Sequence, residues 1–185
     1  MHLETFLYML VQSDKTLPPS RLAPNFEGLA IDSRATISED AWIDIPATRL
    51  NIGMDDPENN EGPFRYFGWD NEKPRRETEV HAFQTKAHAL TNEDYARFSE
   101  QTGNIDLPAS WLVLSSSDIV KRNATLPTNE SLFANQVFGG LRGFIKDKFV
   151  KTIFGPISLL LALDWPVAAS FDQLSKCARF MNGRM

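Results

Sequence analysis

The chain has 185 residues, enough for one domain with a hydrophobic core, and its formal net charge at pH 7 is -5. An acidic chain without a Lys/Arg cluster lacks the basic face that nucleic-acid binding requires, so no nucleic-acid partner is expected. Its single cysteine excludes an internal disulfide and fits a reducing compartment, so we expect a cytoplasmic protein.

No membrane or secretory segment is indicated by the sequence. Residues 1–11 are apolar but carry Glu4 and no basic n-region, and no small-residue cleavage site follows them, which argues against a signal peptide. The apolar run at 157–163 is too short to span a bilayer. We therefore expect no membrane association.

The first predicted element is a helix that ends before Ser13. Its apolar residues recur at the i, i+3, i+4 and i+7 spacing of one helical face: Leu3, Phe6, Leu7 and Leu10. The helix is amphipathic from its first residue and has no cap, which predicts that its N-terminal half is missing. Beyond it, the pair Pro18-Pro19 favours extended backbone, so residues 18–41 are predicted to be a linker.

Strand patterns begin at Trp42. Apolar residues then alternate in short segments that stop at Gly53: Ile43, Ile45, Leu50 and Ile52. The polar loop at 55–62 carries carboxylates but lacks calcium-loop spacing, which predicts a solvated turn. Residues 79–90 alternate imperfectly and predict another strand.

Two capped helices are predicted in the second half of the chain. The first begins at Thr91, with Asp94 placed as in a capping box and Gly103 suited to a left-handed stop, and it buries Tyr95 and Phe98.

The second helix is capped by Ser170 or Asp172 and ends at Asn182-Gly183. Four of its residues are predicted to lie on one side: Leu174, Cys177, Ala178 and Met181. A reactive thiolate needs an electropositive, partly exposed site, so this apolar position predicts that Cys177 is a buried packing residue. Between the two helices, strands are predicted at 111–114 and 149–153, and a long loop or insertion at 118–143.

Two stretches of the chain resemble one family in several motifs. The first contains Phe67-Gly68-Trp69-Asp70-Asn71-Glu72-Lys73-Pro74-Arg75-Arg76 and Thr91-Asn92-Glu93-Asp94-Tyr95-Ala96-Arg97-Phe98; the second runs from Trp165-Pro166-Val167 to Gly183-Arg184. Both resemble the formylglycine-generating-enzyme-like (sulfatase-modifying factor) domain, most closely that of the iron-dependent sulfoxide synthases of ergothioneine biosynthesis. The resemblance implies an α+β, C-type-lectin-like fold over 42–185, incomplete here and preceded by one helix.

A third stretch implies a metal ligand. His2-Leu3-Glu4-Thr5-Phe6-Leu7-Tyr8-Met9-Leu10 resembles a pattern in the family's N-terminal DinB-like iron domain, of which residues 1–17 would be a remnant. In that domain three histidines bind iron, two of them at i and i+4 on one helical face. The resemblance makes His2 a metal ligand only if the ligands upstream of it are restored. His81 and His88, seven residues apart on a predicted strand, are not expected to complete the set.

By resemblance, the family uses non-haem iron(II) and O2 to join cysteine or γ-glutamylcysteine to hercynine, giving a sulfoxide on the route to ergothioneine. Because both ends of the chain fall inside family motifs, we expect a fragment that is inactive alone and holds no iron(II) of its own. Two alternatives stay open: a non-catalytic binding module on the same scaffold, and an unstable product with unpaired strands.

The turn at 68–74 is expected to frame the structure, since Asp and Asn side chains bond their own backbone. Arg75 and Arg76 could bind a carboxylate bidentately, and the family's substrates carry carboxylates, so both are candidate substrate-binding residues. No catalytic residue is assigned. The copper-binding cysteines of true formylglycine-generating enzymes have no counterpart in this chain.

Overall fold

A computed structural model describes residues 2–13, 24–36, 42–55, 68–134 and 140–183. The chain divides into two compact units, a smaller one at 39–87 and a larger one that combines 1–38 with 88–185. Helices and short antiparallel sheets occur together, which confirms the α+β class. Within the described ranges, no helix has the length and apolar character needed to cross a membrane.

The smaller unit consists of two antiparallel strand pairs. Its strands are β1 (Trp42–Ile45), β2 (Thr48–Ile52), β3 (Arg76–Val80) and β4 (Phe83–Lys86). β1 pairs with β4 and β2 pairs with β3. The predicted strands between Trp42 and Gly53 are confirmed. The single strand predicted at 79–90 is instead divided between β3 and β4, because the extended pairing breaks at His81.

The larger unit contains seven helices and three strands among its described residues. They are α1 (His2–Val11), α2 (Phe26–Thr36), α3 (Asn92–Thr102), β5 (Trp111–Val113), α4 (Ser116–Lys121), α5 (Ser131–Ala134), α6 (Gly140–Ile145), β6 (Lys148–Thr152), β7 (Gly155–Ser158) and α7 (Phe171–Phe180). β5, β6 and β7 form an antiparallel sheet in chain order. The strands predicted at 111–114 and 149–153 are therefore confirmed.

The main core of the larger unit lies where α3 packs against α6 and α7. Tyr95 is fully buried and contacts the rings of Phe98 and Trp111 edge-on, with centroids 5.5 and 5.7 Å away. Cys177 from α7 completes this cluster and is also fully buried. Aromatic edge-to-face contacts add to the stabilisation from apolar burial, so α3 is held mainly through its tyrosine face.

The predicted helix boundaries are confirmed by capping bonds. The Thr91 hydroxyl accepts a hydrogen bond from the Asp94 backbone N–H at 3.1 Å, and the Asp94 carboxylate accepts one from the Thr91 N–H at 3.0 Å. Gly103 ends α3 with φ +66°, the left-handed conformation that favours glycine. At α7, the cap is Ser170 rather than Asp172, because Ser170 and Gln173 exchange the same pair of bonds.

The extended connector predicted at 18–41 is wrong over Phe26–Thr36, which forms α2. Phe26 and Ala30, one helical turn apart, are buried against a second apolar cluster made by Phe133, Ile157 and Leu161. The Glu27 carboxylate accepts backbone hydrogen bonds from Thr128 and Asn129 at 3.3 and 3.2 Å. Two apolar residues suffice for α2 because it packs on a core already built by other elements. The proposed domain boundaries themselves stay a prediction.

The long loop predicted at 118–143 is also wrong, because this region contains the short helices α4, α5 and α6. Phe133, Leu141 and Ile145 are buried in the two clusters. The Ser115 hydroxyl accepts a bond from the Asp118 N–H at 3.2 Å and begins α4. Helices of four to six residues are too short to show a periodic pattern in the sequence.

One buried amide connects three parts of the larger unit. The Asn92 side-chain Nδ2 donates to the Ala162 carbonyl at 2.8 Å, and its Oδ1 accepts from the Trp111 indole N–H at 2.8 Å. The Asn92 backbone N–H donates to the Trp165 carbonyl at 2.9 Å. Because all these groups lie away from water, losing the amide would leave a buried donor and a buried acceptor unsatisfied.

We expect Asn92→Ala to lower the free energy of unfolding by about 2 kcal/mol or more, since both partners lose their hydrogen bond in a buried site. Urea unfolding followed by circular dichroism measures this change. Gln101→Ala, at an exposed position of the same helix, is the matched control and should change stability by less than about 0.5 kcal/mol. Equal effects of the two substitutions would contradict the role of Asn92.

The buried phenol of Tyr95 should make stability depend on alkaline pH. Burial raises the pKa of Tyr95 to about 12, and its hydroxyl donates to the Asp106 carbonyl at 2.8 Å. In the unfolded chain a tyrosine ionises near pH 10, so the stabilising contribution is complete below pH 10 and is lost as pH rises towards 12.

The stability difference between the native chain and Tyr95→Phe should therefore shrink steadily between about pH 10 and 12. Urea midpoints measured at several pH values for both proteins give this difference, and the subtraction removes the titration of lysines. A difference that stays constant over this pH range would contradict the assignment.

Candidate functional site

His2 is the first residue of α1, which ends at Val11 and so confirms the predicted N-terminal helix. The helix exposes several apolar side chains, including Leu3 at 75% and Phe6 at 61% of their surface. The imidazole of His2 lies outside the described part of the structure. In the parts that are described, no three His, Cys, Asp or Glu side chains come together as a metal-binding group. The described residues alone therefore do not supply a set of three such donors.

The other two histidines, His81 and His88, each follow a strand of the smaller unit in sequence. His81 directly follows β3, and His88 comes two residues after β4; both side chains are exposed. His81 belongs to the smaller compact unit and His88 to the larger one. Their exclusion from a ligand set stays a prediction.

The turn motif at 68–74 is held by its own polar groups. Asp70–Glu72 forms a single 3-10 turn, and the Trp69 backbone N–H donates to the Glu72 carboxylate at 3.0 Å. The Asp70 carboxylate accepts from the Asn71 N–H at 3.1 Å, and the Glu72 carbonyl accepts from the Met54 N–H at 2.9 Å. These bonds give the motif the framing role that its Asp and Asn residues predict. Phe67, which precedes the turn in the family-like stretch, lies outside the described ranges.

Gly53 allows the chain to approach this turn closely. It adopts φ +89°, and a Cβ atom there would lie 2.7 Å from the Glu72 carbonyl oxygen and 3.0 Å from that of Pro74. Both conditions require glycine, since a side chain would be strained and would also overlap backbone atoms. The end of β2 is thereby fixed against the residues that lead into β3.

Arg75 and Arg76 are both exposed next to the turn. Arg76 begins β3 opposite Ile52, and Arg75 precedes it. Among the described side chains, no carboxylate lies within ion-pair distance of either guanidinium, whereas the nearby Arg49 pairs with Glu77 at 3.5 Å. Their predicted role in substrate binding stays a prediction.

Cys177 is fully buried in the main core. The predicted packing role is confirmed, because an enclosed apolar position disfavours the thiolate that reactivity requires.

A half-buried arginine, Arg34, lies in the last turn of α2. The Arg34 guanidinium lies over the Phe133 ring, 5.4 Å from its centroid, and donates to the Leu160 carbonyl at 3.4 Å. Burial lowers the pKa of Arg34, while the carboxylates of Glu93 and Asp164 oppose that change. This group anchors α2 from its C-terminal end, as Glu27 does from its first turn.

A cleft in the described part of the larger unit has a volume of about 870 Å³. Its described lining residues include three cations, Lys121, Arg122 and Lys151, and none of them is a carboxylate. The sequence prediction missed it, because Lys121-Arg122 falls in the region interpreted as a loop and Lys151 is distant in sequence. The bridge between Thr125 and Ile157 brings the end of α4 beside the β6–β7 hairpin that carries Lys151. A second cavity of about 440 Å³ lies beside α4 and α6.

No family model matches the chain. Aligned over 188 positions, all of the chain is 40% identical to Ergothioneine biosynthesis protein 1 of Neurospora crassa, covering 21% of that protein. Aligned over 204 positions, it is 22% identical to Ergothioneine biosynthesis protein 1 of Schizosaccharomyces pombe, covering 22%. The chain thus spans about a fifth of the length of these curated relatives.

The chain is therefore homologous to one segment of a larger ergothioneine biosynthesis protein. This homology confirms the resemblance that its motifs indicate. One such relative is Ergothioneine biosynthesis protein 1 of Neurospora crassa, which matches the whole chain at 40% identity.

Proposed function

We propose that the chain forms part of a non-haem iron(II)- and O2-dependent sulfoxide synthase, which joins cysteine or γ-glutamylcysteine to hercynine in ergothioneine biosynthesis. The names of the two relatives and the 40% identity over the entire chain support this proposal. Residues 42–185 would form part of a sulfatase-modifying-factor, C-type-lectin-like domain, and the protein would act in the cytoplasm.

The single observation that carries the proposal is the 40% identity over the whole chain, and α1 provides a helical position for the proposed ligand His2. A regular α1 over His2–Val11 gives the spacing on which the family pattern depends, since residues four apart lie on one helical face. In a whole protein, a second imidazole one turn before His2 would share its face and its metal. His2 is thus our proposed iron ligand, with the remaining donors supplied from outside the described residues.

We also infer that the 185-residue chain does not catalyse the reaction alone. Non-haem iron(II) sites that use O2 take three protein donors on one face of the metal, together with ordered supporting contacts. The chain has three histidines, and only His2 lies in the family's ligand pattern. When bound, the iron would supply oxygen activation; the contribution proposed for this chain is one donor and the scaffold around it.

The two exposed arginines, Arg75 and Arg76, are suited to bind the carboxylates of the proposed substrates. Hercynine and the thiol donors carry carboxylates, and a guanidinium can bind a carboxylate through two parallel hydrogen bonds. Arg75 and Arg76 are held beside the turn that Gly53 and Glu72 close, so their backbone is fixed in place. They remain our candidates for substrate contact.

A non-catalytic binding module is the second candidate function. One observation favours it: the cation-lined cleft of the larger unit could bind an anionic ligand without a metal ion. The same scaffold can serve either role, because function depends on the site rather than on the fold.

A chimera distinguishes the two functions. The aligned segment of the Neurospora crassa relative is replaced by this chain, and hercynine conversion is followed by mass spectrometry together with bound iron. We expect the chimera to form sulfoxide, and His2→Ala in it to lose about 100-fold or more in activity together with its iron, because a metal donor is gone.

His88→Ala is the matched control, an exposed histidine outside the ligand pattern, and should retain activity within about threefold. Full activity and full iron content in the His2→Ala chimera would contradict the ligand assignment. A folded, iron-loaded chimera that forms no sulfoxide would instead favour the binding module.

A further inference from the structure

The cleft of the larger unit is built by four separate elements, one of which is β5 with Leu112. The end of α1 contributes residues 10–13, the end of α4 contributes 121–123, and the β6–β7 hairpin contributes residues between 151 and 156. Its volume of about 870 Å³ lies in the usual range for small-molecule sites, which combine apolar walls with a few convergent polar groups.

The charge of this cleft is opposite in sign to that of the chain. The chain has 24 acidic and 19 basic residues, yet the charged residues among the described lining are Lys121, Arg122 and Lys151. Among the residues that the structure describes, no carboxylate lies within ion-pair distance of these three. Several positive charges around a concave, partly apolar surface raise the local concentration of anions.

Two of the cations have a partial structural explanation. Lys121 and Arg122 end α4, where positive charge is favourable, and both help the Ser115 hydroxyl to lower the pKa of Asp118. The Asp118 carboxylate already accepts a bond from Ser115 at 2.6 Å and does not line the cleft. Lys151 has neither explanation: it is partly buried, lies on β6 opposite Pro156, and has no helix end on its own strand.

The rest of the lining determines what kind of anion fits. Leu112, Phe154 and Pro156 provide an apolar wall. The Thr152 hydroxyl is occupied, since it donates to the Gly155 carbonyl at 2.8 Å and accepts from the Phe154 N–H at 3.0 Å. Three neutral polar residues, Gln12, Ser13 and Asn123, line the cleft as well. With an apolar wall beside the cations, a ligand that carries both an anionic group and an apolar body can use both kinds of surface.

We propose that this cleft is a binding site for a small organic anion with one carboxylate and an apolar or aromatic body. The carboxylate pairs with Lys151 and the Lys121-Arg122 end of α4, and the body lies against Phe154 and Pro156. The site involves neither His2 nor Arg75 or Arg76, so it stands independently of the iron chemistry proposed above.

The test compares two probes of equal shape on the 185-residue chain: 3-phenylpropionate and its neutral amide, 3-phenylpropionamide. We expect calorimetric titration to give a Kd for the acid at least about tenfold lower than for the amide, with acid binding weakened by added NaCl. Inorganic phosphate, an anion without an apolar body, should bind at least about tenfold more weakly than the acid.

Lys151→Met, which keeps the apolar stem and removes the charge, should weaken acid binding by at least about tenfold. The matched control Lys176→Met removes an exposed charge from α7 and should leave the Kd for the acid unchanged. Urea midpoints establish that both variants are folded, and Arg122→Gln, with the same expected loss, replaces Lys151→Met if that variant does not fold.

Absence of acid binding, equal binding of acid and amide, phosphate binding as tight as the acid, or undiminished binding in a folded Lys151→Met would each overturn the proposal.

Discussion

The Asn92 side chain is the contact on which the larger unit depends. A single amide donates to Ala162 and accepts from Trp111, so the start of α3 is joined both to β5 and to the segment that precedes α7. Each bond lies in a buried site, where an unsatisfied partner costs more than a bond contributes. The position of α3 then fixes Tyr95, and with it the aromatic contacts of the main core.

The motifs that resemble the family therefore build structure in this chain. Residues 91–98 cap and dock α3, and the turn at 68–74 closes on itself and on Gly53. Neither contributes a cluster of metal donors among the described residues. The two motifs described here therefore build structure, whereas the proposed iron ligand, His2, lies in the third family-like stretch on α1.

Local signals in the sequence predicted the elements whose boundaries are set by capping and alternation. The Thr91 hydroxyl begins α3 by accepting a backbone bond from the first turn, and the left-handed backbone of Gly103 ends it. Both effects act within one helical turn, so the local sequence shows them. α2 could not be predicted in the same way, since Phe26 and Ala30 become a core face only against Phe133 and its neighbours. The short helices at 116–145 and the cleft beside Lys151 likewise depend on contacts between residues distant in sequence.

One imidazole in the family pattern cannot hold oxygen-activating iron(II) without further donors. The most direct measurement is anaerobic equilibrium dialysis of the 185-residue chain against micromolar iron(II), followed by assay with hercynine, cysteine and O2. The expected result is less than one equivalent of bound iron and no sulfoxide. One equivalent bound at micromolar affinity, with conversion of hercynine, would contradict it.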